Sequence, residues 1–175
     1  MSYSAAALSF QLPEISNPVI FTGSQRSPDR PSSDAHLNLE GAAKAAMSDL
    51  GEISIAMHET TDDLNVAIWR GNRTRKNHSS KRDAFTSLND EPIGIVSEKI
   101  EWKGKYRPTC EKTVIKSGFD EKIALVWAHP GFNFGDWENV TSSKKGVVIA
   151  GTGLGHLNSN RLESIGTTAK DMPVA

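Results

Sequence analysis

Several short apolar runs constrain the fold of this chain more than any other feature. The clearest runs lie at residues 19–22, 53–57, 123–127 and 147–150. A strand that is apolar at nearly every position, rather than at every second one, is typical of a sheet with both faces covered. Stretches of helix formers separate the runs and can provide that cover. We therefore predict an α/β protein in three layers, with a mostly parallel, Rossmann-like sheet.

Local signals predict where the helices begin and end. The first helix covers residues 5–12 and ends at Pro13, which lacks the N–H that a helix interior needs. Ser32 or Ser33 is placed to cap a second helix over residues 37–46.

Other segments give weaker predictions. Gly51 is expected to stop the second helix. Residues 66–69 form a possible third strand in a more polar setting, and residues 93–102 favour short strands, perhaps a hairpin. The tail from Ser164 is small and polar, so we expect it to be frayed.

Composition limits the class of protein. The 175 residues are 37% hydrophobic and 23% charged, as in an ordinary globular domain, and the formal net charge of -1 gives no general attraction for nucleic acid. The single cysteine, Cys110, excludes an internal disulfide and fits a reducing compartment. No apolar run approaches the roughly 20 residues that span a bilayer. We therefore expect a cytoplasmic protein without membrane contacts.

The loops that follow the strands are the places to look for a site. In open α/β sheets, ligands bind at the carboxyl ends of the strands. The loops of interest are at residues 23–34, 58–63, 70–82, 129–134 and 151–158.

Two of these loops contain residues that resemble known ligand-binding patterns. Gly151, Gly153 and Gly155 follow a strand, but His156 stands where the dinucleotide fingerprint needs its next glycine, so a tight turn is the better interpretation. The five histidines show no metal-ligand spacing, and we predict no metal or other cofactor.

A basic cluster stands out in an otherwise neutral chain. It lies in the loop at residues 70–82 and consists of Arg70, Arg73, Arg75, Lys76, His78, Lys81 and Arg82. A solvated loop explains it most simply. It could also meet an RNA backbone, or one of its lysines could act as a base after losing charge through burial. Spacing alone does not identify the lysine.

Three stretches, in this order, resemble the asparaginase/glutaminase family, and in particular its archaeal branch, the D subunit of glutamyl-tRNA(Gln) amidotransferase. They are residues 19–35 (VIFTGSQRSPDRPSSDA, then Leu37-Asn38-Leu39), residues 70–85 (RGNRTRKNHSSKRDAF) and residues 146–156 (GVVIAGTGLGH). The resemblance implies an incomplete asparaginase-type fold. Residues 1–115 would be the later part of the large domain, and residues 116–175 a linker and the start of a smaller carboxyl-terminal domain.

The resemblance also implies an activity. Family enzymes hydrolyse the side-chain amide of glutamine or asparagine, using a threonine nucleophile with a second threonine, an aspartate and a lysine. Lys76 stands at the position of the catalytic lysine. Ser24 matches the loop that lines the substrate pocket, and His156 matches a position that reaches a neighbouring subunit's site in bacterial relatives. The resemblance also implies a homodimeric core and a partner subunit that handles the tRNA. This chain would then act on the tRNA only through that partner subunit.

The departures from the family set the remaining expectations. Neither the Thr-Gly-Gly-Thr motif of the nucleophile nor the His-Gly-Thr-Asp-Thr motif occurs in this sequence. We therefore expect this chain alone to be inactive and only marginally stable, with an exposed sheet edge. Trp69 and Glu59 replace a more polar residue and a glycine. A free L-asparaginase fragment and a non-catalytic RNA- or protein-binding module that uses residues 70–82 stay open as alternatives.

Overall fold

The computed structural model describes residues 1–129, 132, 137–159 and 162–175. The chain forms two compact units, residues 1–118 (unit 1) and 119–175 (unit 2). Unit 1 contains α1 (Ser2–Gln11), β1 (Val19–Phe21), α2 (Ala35–Ala46), β2 (Ile53–His58), β3 (Val66–Arg70), β4 (Thr74–Lys76), β5 (Phe85–Ser87), β6 (Gly94–Val96) and β7 (Ile100–Trp102). Unit 2 contains β8 (Ile123–Trp127), α3 (Trp137–Thr141), β9 (Gly146–Ala150) and α4 (Leu162–Asp171).

Strand β2 lies inside the main sheet, whose order is β1-β2-β3-β6-β7. β1 pairs with β2 in parallel, because α2 carries the chain back across the sheet between them. The next three pairs are antiparallel. Short loops join β2 to β3 and β6 to β7, which antiparallel pairing allows, whereas β4 and β5 lie between β3 and β6 in the chain. The predicted α/β class is confirmed, but the sheet is mixed and not mostly parallel, since only the pair β1–β2 of its four described strand pairs is parallel.

The three layers are α1, the sheet and α2. On one face Ile53, Ile55 and Met57 pack with Ala5 of α1 and Trp69 of β3. On the other face the alternate positions of β2 and β3 pack against the alanines of α2, in the cluster Ala42, Ala45, Ala56, Val66 and Ile68. Each strand thus supplies both faces with apolar side chains, which is why its sequence reads as a continuous run.

The weaker strand predictions meet mixed outcomes. The predicted hairpin over residues 93–102 is confirmed by the antiparallel pair β6 and β7. β3 is present, but its setting is not polar, since Val66 to Trp69 are all buried. The loop expected over residues 70–82 is interrupted by β4, which pairs with β5. Polar residues 74–76 did not look like a strand because their pairing comes from a segment nine or more residues away.

The second helix begins and ends differently from the prediction. Asp34 occupies its N-cap position, although Ser33 Oγ accepts a hydrogen bond from the N–H of Ala35. The helix ends at Ala46, before Gly51. Gly51 serves another purpose, because a Cβ there would lie 2.1 Å from the carbonyl oxygen of Pro108. Its missing side chain lets two backbone segments approach closely.

Unit 2 is built on the parallel pair β8 and β9. Ala124, Val126 and Val147 are buried with Trp137 of α3. The tail is not frayed as predicted, because residues 162–171 form α4 and Ala175 exchanges backbone hydrogen bonds with the strand at Val147 and Ile149.

The two faces of β8 have different surroundings. Its run of apolar residues predicted a buried strand, but Ile123, Leu125 and Trp127 are exposed in the chain. Residues 130, 131, 133 and 134 of the loop predicted at 129–134 lie outside the described residues. Of the helices that the structure describes, none is both long and apolar enough to cross a bilayer.

Truncating the fully buried Ile68 to alanine is expected to lower the free energy of unfolding by about 2–5 kcal/mol, since it removes transfer free energy and leaves a cavity between β3 and α2. Urea unfolding followed by circular dichroism measures the change. Leu39→Ala, at an exposed position of α2, is the control and should change it by less than about 0.5 kcal/mol. Equal losses in the two variants would contradict the packing described above.

Candidate functional site

Lys76 is the last residue of β4 and lies opposite Phe85 of β5. Its side chain is exposed, and its Nζ lies 5.8 Å from the centroid of the Phe85 ring, within the range of a cation–π contact. It lines a pocket of 220 Å³ together with Met1, Ser2, Tyr3, Arg75 and Phe85. The structure therefore shows Lys76 at an open position and not inside the protein.

Ser24 lies in loop A, defined as residues 22–34, between β1 and α2. The preceding residue, Gly23, approaches Met1 so closely that a Cβ would lie 3.1 Å from the Met1 Cε. Met1 also lines the Lys76 pocket. Met1 thus lies beside the start of loop A and lines the same pocket as Lys76.

His156 belongs to unit 2, where it closes the glycine turn. The N–H of Thr152 donates to the carbonyl of His156, and the N–H of His156 donates to the carbonyl of Thr152. Gly153 and Gly155 have φ angles of 53° and 87°, which glycine adopts without strain. This is the tight turn that the sequence favoured. The exposed His156 lines a pocket of 230 Å³ with His129, Thr152 and Asn158 among its neighbours.

Three loops of unit 1 are held together by Arg82. It belongs to loop C (residues 77–84, between β4 and β5), while loop B is residues 59–65, between β2 and β3. The guanidinium donates to the carbonyl of Ser32 in loop A and to the carbonyl of Thr61 in loop B, and it pairs with Asp63 at 3.1 Å. Gln25 adds a bond of 2.7 Å from its side-chain amide to the carbonyl of Lys81.

A buried chain of hydrogen bonds continues from Asp63 into the protein. His58 at the end of β2 is fully buried, with Nε2 at 3.1 Å from Asp63 Oδ1 and Nδ1 at 2.7 Å from Asn38 Oδ1. The Asn38 amide donates to the carbonyl of Gly23 and to Asp34, which fixes its orientation. Both ring nitrogens of His58 therefore lie within hydrogen-bond distance of side-chain oxygens.

Asp34 closes this chain at loop A. Its carboxylate is 1% exposed and accepts the backbone N–H groups of Gln25 and Arg26 at 2.9–3.0 Å. Burial, the largest single cause, works to raise the pKa of this carboxyl, but the backbone N–H groups of Gln25, Arg26 and Asp34 itself, together with nearby His58, hold the pKa below its ordinary value. An ionised Asp34 thus fixes the backbone immediately after Ser24.

The arginines of the basic cluster have different surroundings. Arg70 lies between Glu52 and Asp90, at 3.0 and 2.9 Å, and Arg82 is committed to the three loops. Burial alone would lower the pKa of Arg70, but its hydrogen bonds to Asp90 and attraction to Glu52 hold the pKa above its ordinary value. Arg73 and Arg75 remain exposed.

Sequence reasoning missed the residues that fix the loops. Asp34 and His58 entered it at the bounds of two candidate loops, and Asn38 entered it only as part of a resemblance, without any role for the three together. Asp34 at the N-cap of α2 and Asn38 within the helix are four residues apart. This spacing was a usable signal, since two polar residues on the same side of a helix that packs on a sheet need a partner inside the protein. In the part of the chain that the structure describes, no group of three or more His, Cys, Asp or Glu residues could hold a metal ion.

Glu59 and Trp69, the two residues that differ from the family pattern in this region, have structural roles. Glu59 accepts a hydrogen bond of 3.1 Å from the side chain of Asn65 and closes loop B. Trp69 packs in the core on the α1 side of the sheet.

Because the folded-state pKa of Asp34 is lowered, its stabilising contribution should be complete above the ordinary carboxyl range and lost as the pH falls through the folded pKa. Asp34→Asn should lower stability at pH 7 by about 1.5–3 kcal/mol and weaken its loss below about pH 4. Chemical unfolding at several pH values measures both effects. Asp29→Asn, at an exposed position of loop A, is the control, and an identical pH profile in the two variants would contradict the role of Asp34.

Arg82→Lys should loosen loops A and B, because lysine cannot reproduce three bonds from one planar group. We expect backbone amides at residues 25–33 and 59–65 to exchange with deuterium roughly tenfold faster or more, which corresponds to losing about 1.5 kcal/mol of hydrogen bonding. Arg30→Lys, an exposed arginine in loop A, is the matched control. Unchanged exchange in Arg82→Lys would show that the loops hold their arrangement without this side chain.

Comparison with known proteins places the fold and the loops in a family. The family model described as asparaginase, N-terminal, matches residues 1–108. Over 98% of its length the chain is 40% identical to the D subunit of the glutamyl-tRNA(Gln) amidotransferase of Thermoplasma volcanium, and it covers 42% of that protein. Over 94% of its length it is 45% identical to the corresponding protein of Pyrococcus furiosus, covering 39% of it. The chain thus spans about two fifths of the length of these relatives.

Solved structures give the same result for the fold. The thermostable L-asparaginase from Thermococcus kodakarensis superposes with a TM-score of 0.85 at 28% identity, covering 99% of this chain and 52% of that one. L-asparaginase I from Vibrio cholerae superposes with a TM-score of 0.82 at 24% identity, covering 100% and 53% of the two chains, and supports the fold alone. The family model, the sequence identity to these relatives and the three-layer fold around a mixed sheet show that the chain belongs to the asparaginase family.

Proposed function

We propose that this chain carries the lysine-bearing part of a glutaminase that releases ammonia from glutamine or asparagine for the amidation of Glu-tRNA(Gln). The observation that carries the proposal is the 40% identity to the D subunit of an archaeal amidotransferase over 98% of the chain. The position of Lys76 in an open pocket next to the start of loop A supports it. In this proposal residues 1–115 belong to the large domain, and residues 116–175 are a linker and the start of the small one.

Lys76 is proposed to relay a proton. A threonine hydroxyl attacks the amide carbon and forms an ester as the carbon–nitrogen bond breaks. The hydroxyl proton passes through the amine of the lysine to the leaving nitrogen, which departs as ammonia. Water then hydrolyses the ester and returns the proton to the threonine. Neither threonine motif occurs in this sequence, so this chain alone should be inactive.

Ser24 and His156 are proposed to bind substrate. The hydroxyl of Ser24 can donate or accept a hydrogen bond. The chain of bonds through Asp34, Asn38 and Gly23 on either side of it supports a fixed position for that loop. His156 would act on the site of a second copy, which requires the homodimeric core that the family resemblance implies. Its exposure on the glycine turn is compatible with this role.

The proposed setting includes a partner subunit that activates the tRNA-bound glutamate and handles the tRNA. The chain would then meet tRNA only through that partner, in the cytoplasm, where Glu-tRNA(Gln) is formed. No cofactor is required, because hydroxyl, amine and carboxylate groups are sufficient for amide hydrolysis.

Two alternatives have observations in their favour. The likeness to the L-asparaginase of Thermococcus kodakarensis over 99% of this chain supports a free L-asparaginase. Amide hydrolysis that does not depend on the partner subunit and tRNA would favour it. A non-catalytic RNA- or protein-binding module would use the exposed Arg73 and Arg75, and RNA binding with a strong salt dependence, lost on neutralising both arginines, would favour that function.

Mixing this chain with a separately expressed amino-terminal half that carries both threonine motifs should restore ammonia release from glutamine. Lys76→Met in this chain should lower the rate by roughly a hundredfold or more, the usual range for a lost proton-transfer group. Lys81→Met, which removes an exposed lysine of loop C, is the control and should keep the rate. A folded mixture without ammonia release would overturn the proposal and favour the binding module.

A further inference from the structure

A second pocket of unit 1 lies where β3 ends and β2 begins. Its volume is 660 Å³, three times that of the Lys76 pocket at 220 Å³. α1 and the segment that follows it contribute Ser9, Phe10 and Pro13. The remaining wall carries charged and amide side chains, namely Glu52, Arg70, Asn72, Arg73, Asn89, Asp90, Lys105 and Arg107, together with Tyr106. The size falls within the range of pockets that bind small organic ligands.

The negative charges of this pocket are already satisfied. Glu52 accepts the Nε–H of Arg70 on one oxygen and the backbone N–H of Arg107 on the other. Asp90 accepts Arg70 on one oxygen and the backbone N–H of Glu91 on the other. Every carboxylate oxygen of the wall thus has a donor, and Arg70 balances much of their charge.

The positively charged side chains, by contrast, have N–H donors that are not used in hydrogen bonds within the described part of the chain. Arg73 is half exposed and its Nε lies 3.9 Å from Asp90, too far for a hydrogen bond. Lys105 has no ion pair or side-chain hydrogen bond with the described residues, and the Arg107 guanidinium donates to the carbonyl of Pro13. These three side chains carry many more N–H donors than the protein acceptors described for them. Four cations against two carboxylates leave the wall with a net charge of +2 in a chain of net charge -1.

We propose that this pocket binds a phosphate monoester of nucleotide size. A phosphate supplies a double negative charge and several acceptor oxygens, which is what the spare donors of Arg73, Lys105 and Arg107 lack. The side-chain amides of Asn72 and Asn89 can donate to the sugar. Phe10 is 65% exposed at the pocket wall and offers a ring face for stacking of the base. The site is independent of Lys76 and of the proposed amide hydrolysis.

The test is isothermal titration calorimetry, which measures the affinity of the intact chain for AMP, adenosine, inorganic phosphate and a short single-stranded RNA. We expect AMP to bind about fivefold more tightly than inorganic phosphate, since stacking adds to the phosphate contacts, and adenosine to bind more weakly than AMP. The variant Arg73→Gln/Lys105→Gln should lose tenfold or more of the AMP affinity. The control variant Arg30→Gln/Lys99→Gln removes the same charge at exposed positions elsewhere in unit 1 and should keep it.

Several results would overturn the proposal. One is equal affinity for adenosine and AMP, and another is an equal loss of AMP affinity in the two double variants. The proposal would also fail if the RNA were the only compound that bound, or if no phosphate compound bound. Lys105→Gln by itself provides a second variant if the double variant does not fold, because the backbone carbonyl that accepts Arg70 remains. Chemical-shift changes on adding AMP to the unmodified chain should include the side-chain amides of Asn72 and Asn89. Changes confined to other residues would also contradict the site.

Discussion

The complete burial of β2 is the constraint on which the rest of unit 1 depends. All six residues of the strand are buried, so both of its faces need apolar cover, and α1 and α2 provide it. The strand ends in His58, a polar ring that is costly to bury unless its nitrogens are hydrogen-bonded. Asn38 and Asp63 meet that need from two other segments. The packing of the sheet therefore determines where loops A and B lie.

The chemistry proposed for this chain depends on loops A, B and C being held in fixed positions. Loops A, B and C would be free to move on their own, yet hydrogen bonds from Asp34, Asn38, Asp63 and Arg82 connect them to the buried strand end. A site on loops needs such support, because misplacement of a reacting group by about 1 Å costs much of its rate. Lys76 stands apart from the network on the short strand β4, where the backbone pairing with β5 holds it.

The charged residues of unit 1 take three separate roles although they are neighbours in sequence. Arg70 is neutralised between Glu52 and Asp90, and Arg82 connects loops. Arg73 keeps its donors free, and so does Lys105 from a distant segment. A count of basic residues in the sequence would add them together and suggest one surface for RNA. Their partners show instead that the cluster divides into structural and open positions, and the open Arg73 lines the larger pocket together with Lys105.

The sequence by itself determined the class of fold, the positions of the buried strands and the family, because continuous apolar runs and the stretches at residues 19–35 and 70–85 are local properties of the chain. It did not determine that residues 74–76 form a strand, that β8 has an exposed face, or that Asp34 serves loop A. Those outcomes depend on partners far away in sequence. His58 and Asn38 are 20 residues apart, and Arg82 and Ser32 are 50 apart. Only the tertiary structure decides which buried polar groups meet, since hydrogen bonds need particular distances and directions that residue spacing does not contain.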